Sequence, residues 1–101
     1  GIADLAAVAN PDTGVWVYSA GAWTVVGGTS ASSPILAAIT NSAGRFLTSS
    51  ATELSRIYAN LGTTAFRDIA TGACGTGQSR RAVAGFDFCT GVGSPVGLAA
   101  L

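Results

Sequence analysis

The stretch "VVGGTSASSPILAAI" (residues 25–39) does most to limit what this chain can become. An apolar, β-branched run meets two glycines, a knot of small hydroxyl residues, a proline and a second apolar run. That order reads as strand, tight turn and helix. Pro34 suits a first helical turn, where its missing N–H costs no bond and its φ is already helical. Ser32 or Ser33 then caps the helix. "ILAAITNSAGRFL" (35–47) supplies its body, apolar on nearly all sides, which predicts burial between layers.

The elements around this junction follow from composition and spacing. "IADLAAVA" (2–9) suits a buried strand, and "NPDTG" (10–14) a turn. "VWVYS" (15–19) and "WTVV" (23–26), separated by "AGA", predict a β-hairpin. A second helix fits 52–60, with Thr52 as N-cap, Glu53 in its first turn, and Leu54, Ile57 and Tyr58 on one face. Residues 63–94 are Gly-rich and irregular. A loop of that length in a small domain is functional or tied down. "SPVGLAAL" (94–101) predicts a last helix, with Ser94 as N-cap and Pro95 at its first position.

The 101 residues, taken as 1–101, suffice for one domain and not two. Only 10% are charged, against roughly 25% in soluble domains, and 49% are hydrophobic. So little charge is poor for a free-standing surface. The chain starts at Gly1 and has no Met. Together these features predict a partial domain whose apolar faces are covered by further chain. The five arginines are scattered apart from Arg80–Arg81, which argues against a nucleic-acid partner. No apolar run is long enough to span a bilayer, so no membrane role is expected.

Cys74 and Cys89 are spaced too widely for a CxxC redox motif, and with no histidine they cannot build a zinc site. Two readings remain: a disulfide across the Gly-rich loop, or a pair of buried thiols. A bridge closing such a loop stabilises by about 3 kcal/mol in the chain-entropy model. It also implies export from a reducing cytosol.

Two places carry candidate chemistry. Ser30 lies at the mouth of a helix, among small neighbours that let a substrate backbone approach, with helix N–H groups and the positive dipole end facing it. Those N–H groups can hold an oxyanion, but a serine nucleophile also needs a base, and the chain has no histidine. The plain alternative is a Ser/Thr-rich helix cap. Asp68 and Asp87 lie in the Gly-rich loop, where carboxylates and carbonyls can ligate calcium. There the alternative is that Asp68 caps a turn and Asp87 pairs with Arg67, Arg80 or Arg81.

"GGTSASSP" before an apolar helix, with "FRDIATG" (66–72) and "AGFDFCTGVGSP" (84–95) in that order, resembles the sedolisin family of serine-carboxyl peptidases. "GIADLAAVANPDTGVWVY" (1–18) resembles that family's approach to its serine motif. The resemblance covers nearly the whole chain. It implies a subtilisin-like α/β fold: the C-terminal portion of a parallel sheet with flanking helices, a β-hairpin and a calcium-binding loop. It implies Ser30 as nucleophile, with a glutamate base backed by an aspartate. Those acids precede the serine motif in the family, so none of Asp4, Asp12, Glu53, Asp68 or Asp87 is assigned to them. A carboxylate base suits acidic pH. For Ca2+ the resemblance implies Asp68, the carbonyls of Ile69, Val83 and Gly85, and Asp87 as ligands, Val83 standing where the family often has Gly.

The leading expectation is therefore a C-terminal segment of a secreted serine-type endopeptidase. It would act on peptides or proteins once joined to the rest of its catalytic domain, and be inactive alone. A second reading is a non-catalytic, calcium-stabilised binding module, a degenerate relative that lost its acids. A third is a subtilisin-like fragment whose base is an upstream histidine.

Overall fold

Alternating β-branched and aromatic residues make the hairpin. In the computed structural model, which describes residues 3–101, β1 (Val15–Ser19) pairs antiparallel with β2 (Ala22–Val26). Tyr18 lies opposite Trp23 and Trp16 opposite Val25. Ala20 and Gly21 form the turn, both with positive φ (51° and 82°). That mirror-image turn matches the right-handed twist of the strands. Side chains alternate between faces, so Trp16, Tyr18, Trp23 and Val25 share one side. Val15, Val17 and Val26 share the other.

The long helix, α1, spans Thr29–Ala43 and so begins well before the predicted residue 35. Pro34 lies inside it rather than in its first turn. Neither Ser32 nor Ser33 caps it. The Gly28 carbonyl accepts the N–H groups of Ala31 (2.9 Å) and Ser32 (3.3 Å). The hydroxyl of Ser32 reaches out to the Val8 carbonyl at 2.8 Å. Gly44, left-handed at φ 65°, ends the helix.

The second helix, α2, spans Ser50–Ala59. Its cap is Ser49, whose hydroxyl accepts the Thr52 N–H. Glu53 stands in the first turn as expected. Ile57 from α2 packs in the core with Phe66, Val92, Ala100 and Leu101, flanked by Leu5, Leu36, Ile39 and Ala65.

Two further expectations give way to other bonding. Residues 94–101 do not form a helix. Ser94–Pro95 is a short strand, β4, antiparallel to β3 (Phe66–Arg67), and the Val96 N–H donates to the Ala65 carbonyl at 2.8 Å. Cross-chain bonds claim the backbone that a helix start needs. Arg45 and Arg56 then hold the carbonyls of Leu98 and Ala99, seating the buried Ala100 and Leu101. Within 2–9, whose first residue lies outside the described range, no strand forms. The segment is extended and bonded singly: Ala6 N–H to the Gly93 carbonyl, Val92 N–H to Asp4, and Gly28 N–H to Ala9.

Helices and strands are thus mixed, as expected. Both sheets among the described residues are two-stranded and antiparallel. No helix among them is long and apolar enough to cross a membrane.

Candidate functional site

Gly27 and Gly28 aim the start of α1, each for its own reason. A Cβ on Gly27 would lie 2.5 Å from the backbone N and Cα of Pro11 and 2.8 Å from the Ala9 carbonyl. Gly28 takes φ 82°, a conformation that L side chains rarely adopt. The pair turns the chain from β2 into α1 while holding it against residues 9–11.

Ser30 is the second residue of α1 and is solvent-exposed. Its hydroxyl is not tied to the chain among the described residues, whereas that of Ser32 bonds Val8. The first N–H groups of a helix lack i−4 partners; here that of Ala31 bonds the Gly28 carbonyl and no side chain caps the helix, so those of Thr29 and Ser30 are left without an acceptor among the described residues. Pro34 adds a second freedom: with no N–H, it gives the Ser30 carbonyl no i+4 donor. Beside Ser30 lies an apolar groove of about 290 Å³, lined by Val15, Val17 and Val26 of the hairpin and Ala31, Pro34, Ile35 and Ala38 of α1.

None of the five acids bonds Ser30. Asp4 accepts the Tyr58 hydroxyl at 2.6 Å. Asp12 sits in the turn before β1, and Glu53 on α2. Asp68 and Asp87 belong to the far loop.

That loop gathers the other predicted residues. Asp68 follows β3 and accepts the Gly85 N–H at 2.8 Å through Oδ2. Ile69 comes next, half-buried. Asp87 is only 4% exposed. Its Oδ1 accepts the N–H groups of Cys89 and Thr90, each at 2.8 Å. Its Oδ2 accepts the Val83 N–H at 3.2 Å and the Thr90 hydroxyl at 3.0 Å. Burial pushes this carboxyl up, but the four hydrogen bonds together outweigh it and hold Asp87 below the usual carboxylate range. Asp87 is therefore held by N–H and hydroxyl donors, not by an arginine. The Thr three residues after Asp was a legible signal for this turn, and sequence reasoning missed it.

Val83 departs from the family pattern without strain. The only non-glycine residue with positive φ is Ala20, among the described residues, so Val83 needs no glycine freedom. No cluster of three or more His, Cys, Asp or Glu side chains occurs there. A cation in this loop would need main-chain carbonyls beside the carboxylates. Cys74 and Cys89 are disulfide-bonded with Cα atoms 5.5 Å apart, which closes the loop covalently and decides between the two readings of the cysteines.

Comparison with known proteins bears on this arrangement. No family model matches the chain. It is 37% identical over 101 residues to Kumamolisin of Bacillus sp. (strain MN-32), a sedolisin-family peptidase. The chain is a relative of the sedolisins. The match takes in 97% of this chain but 18% of Kumamolisin. This chain thus spans less than a fifth of that relative's length, and its likeness is to one segment of such a peptidase.

Proposed function

We propose that the chain is the C-terminal segment of the catalytic domain of a secreted serine-carboxyl endopeptidase, with Ser30 as nucleophile. In that reading the parallel sheet of the fold comes from chain outside these residues. The observation that carries it is the 37% identity to Kumamolisin along nearly the whole chain. The exposed, unbonded Ser30 at an uncapped helix start supports the same reading.

The steps follow from what Ser30 has and lacks. A carboxylate from the upstream chain takes the Oγ proton as Oγ bonds the scissile carbonyl carbon. The carbonyl electrons move to oxygen, where the unpaired N–H groups at the start of α1 can receive them. The C–N bond then breaks, the departing amine takes the proton, and water hydrolyses the Ser30 ester. A carboxylate base places this chemistry at acidic pH.

Asp68, the carbonyls of Ile69, Val83 and Gly85, and Asp87 would hold calcium, which supplies charge to pin the loop and takes no part in bond cleavage. The donor set is all oxygen, as a hard cation needs. The four hydrogen bonds on Asp87 fill its lone-pair sites. Direct ligation therefore requires one of those bonds to open, whereas Asp68 accepts through one oxygen only.

The test uses the full-length polypeptide. Ser30→Ala should abolish peptide cleavage at acidic pH and leave the melting temperature within about 1 °C, because the hydroxyl holds nothing. Undiminished cleavage would remove the reading. The competitor is a non-catalytic calcium-stabilised module. A full-length protein that binds peptides and cleaves none would establish it.

A further inference from the structure

A serine or threonine hydroxyl inside a helix commonly bonds the carbonyl one turn earlier. Thr40 does so in α1, at 3.0 Å to Leu36, and Ser55 does so in α2, at 2.9 Å to Ala51. Ser32 behaves differently. Its hydroxyl stands 3.4 Å from the Gly28 carbonyl one turn back, and its short bond, 2.8 Å, runs out of the helix to the Val8 carbonyl.

Two observations connect this bond to Ser30. First, the mouth of α1 is poor in bonds of its own. No side chain caps it, Pro34 offers no N–H to the Ser30 carbonyl, and the N–H groups of Thr29 and Ser30 lack acceptors. Its local stiffness has to come from outside the helix. Second, the outside ties bracket Ser30. Gly28, two residues before it, donates its N–H to the Ala9 carbonyl, and Ser32, two residues after it, donates its hydroxyl to Val8. Both acceptors belong to one extended run, itself bonded through Asp4 and Ala6 to Val92 and Gly93. Ser30 stands between the two tie points with its own hydroxyl free. The Gly28 tie is made by backbone on both sides, so the Ser32 tie is the one that a side chain supplies. Both run within the chain, and further chain laid over this surface leaves them in place.

We propose that Ser32 is a positioning residue for the nucleophile. Anchored on the Val8 carbonyl, it fixes where the Ser30 Oγ and the free N–H groups of α1 stand relative to the upstream base. The proposal rests on the peptidase reading. Ser32 touches neither substrate nor reacting atoms, so it acts on kcat and not on KM. A displaced nucleophile loses rate because attack needs the reacting atoms held about 3–3.5 Å apart and aligned.

The experiment compares the full-length polypeptide with its Ser32→Ala, Ser32→Thr and Thr40→Ala variants, at acidic pH and well below their melting temperatures. Thr40→Ala removes a hydroxyl bond from the same helix, away from its mouth. Ser32→Ala should lower kcat roughly tenfold and leave KM within about twofold. Ser32→Thr, which keeps the hydroxyl, should retain most of kcat, and Thr40→Ala should keep all of it. Hydrogen exchange of the bonded Gly28, Ala31 and Ser32 amides should quicken in Ser32→Ala and stay at the wild-type rate in Thr40→Ala. A wild-type kcat in Ser32→Ala overturns the proposal. So does a loss confined to KM, a loss equalled by Thr40→Ala, or a loss that Ser32→Thr does not recover. If Ser32→Ala fails to fold, Ser32→Cys, close in size and a weaker donor, takes its place. Cleavage that persists in Ser30→Ala, or is absent from wild type, removes the peptidase reading. The exchange rates then decide the anchor by themselves: quickened exchange in Ser32→Ala upholds it, and unchanged exchange sinks it.

Discussion

Tyr58 donates a 2.6 Å hydrogen bond to Oδ1 of Asp4, joining α2 to the extended segment that begins the described chain. This bond first, then partial burial and the Asp4 charge, raises the Tyr58 phenol above its ordinary value. A raised pKa contributes stability that is complete below the unfolded value and disappears as pH climbs through the folded one. Tyr58→Phe should therefore destabilise by about 1 kcal/mol at neutral pH, the figure being kept low because the pair is exposed. The gap from wild type should close in strong alkali. Melting temperatures of both proteins from neutral to alkaline pH check this, and a gap constant with pH contradicts it.

Asp87 works with the opposite sign. Its carboxyl is held below the usual range, so its contribution is full above the ordinary aspartate value of about 4 and fades as pH falls through the folded value. Asp87→Ala leaves the N–H groups of Val83, Cys89 and Thr90 without their acceptor. It should cost about 3 kcal/mol at neutral pH. The difference from wild type should shrink only in strong acid, which denaturant titrations across acidic pH would resolve. A lowered pKa also keeps this loop assembled in the range where a carboxylate-based peptidase would work.

Gly27→Ala brings a Cβ to 2.5 Å from Pro11 backbone atoms, and no flexible side chain is there to give way. The start of α1 must shift. Loss of about 2 kcal/mol of stability is expected, with loss of any activity that depends on Ser30. A crystal structure of the variant should show Ser30 displaced. An unmoved Ser30 would mean that residues 9–11 yield instead.

The proposed calcium site and the Cys74–Cys89 bridge fall in one loop. With the full-length protein, a calcium chelator should lower the melting temperature, and Asp68→Asn should remove most of that response. Reduction of Cys74–Cys89 should lower stability by about 3 kcal/mol, with hydrogen exchange rising first between residues 74 and 89. A melting temperature indifferent to chelator ends the calcium reading.

What could be read ahead of the structure was local. The hairpin was legible because period-two alternation and an Ala-Gly turn agree with each other. The helices were legible in kind but not in their starts. Pro34 pointed to a later beginning of α1, yet Gly28 opens that helix through its carbonyl alone, which has no side-chain signature. Ser94–Pro95 has the pattern of a helix start and still pairs with β3, because a tertiary bond from Val96 to Ala65 outranks local preference. At the candidate sites, Ser30 and the two loop aspartates could be named from motif. Of the four donors around Asp87, the N–H and hydroxyl of Thr90, three residues on, had a legible local signal, whereas the Val83 N–H, four residues back across the Gly85 bend, had none. The bond of Tyr58 to Asp4 spans 54 positions and has no local trace at all.

The extended run from Asp4 to Ala9 is hooked at both ends. Val92 and Ala6 fasten it to the Gly91–Gly93 bend, while Gly28 and Ser32 fasten it to the threshold of α1. Its length is thus a fixed ruler between the aspartate loop and Ser30. One residue added or removed between Leu5 and Val8 advances the chain by about 3.3 Å and reverses which side each amide faces, so one end must come unhooked. Substitution along this run can be generous, but its residue count cannot drift.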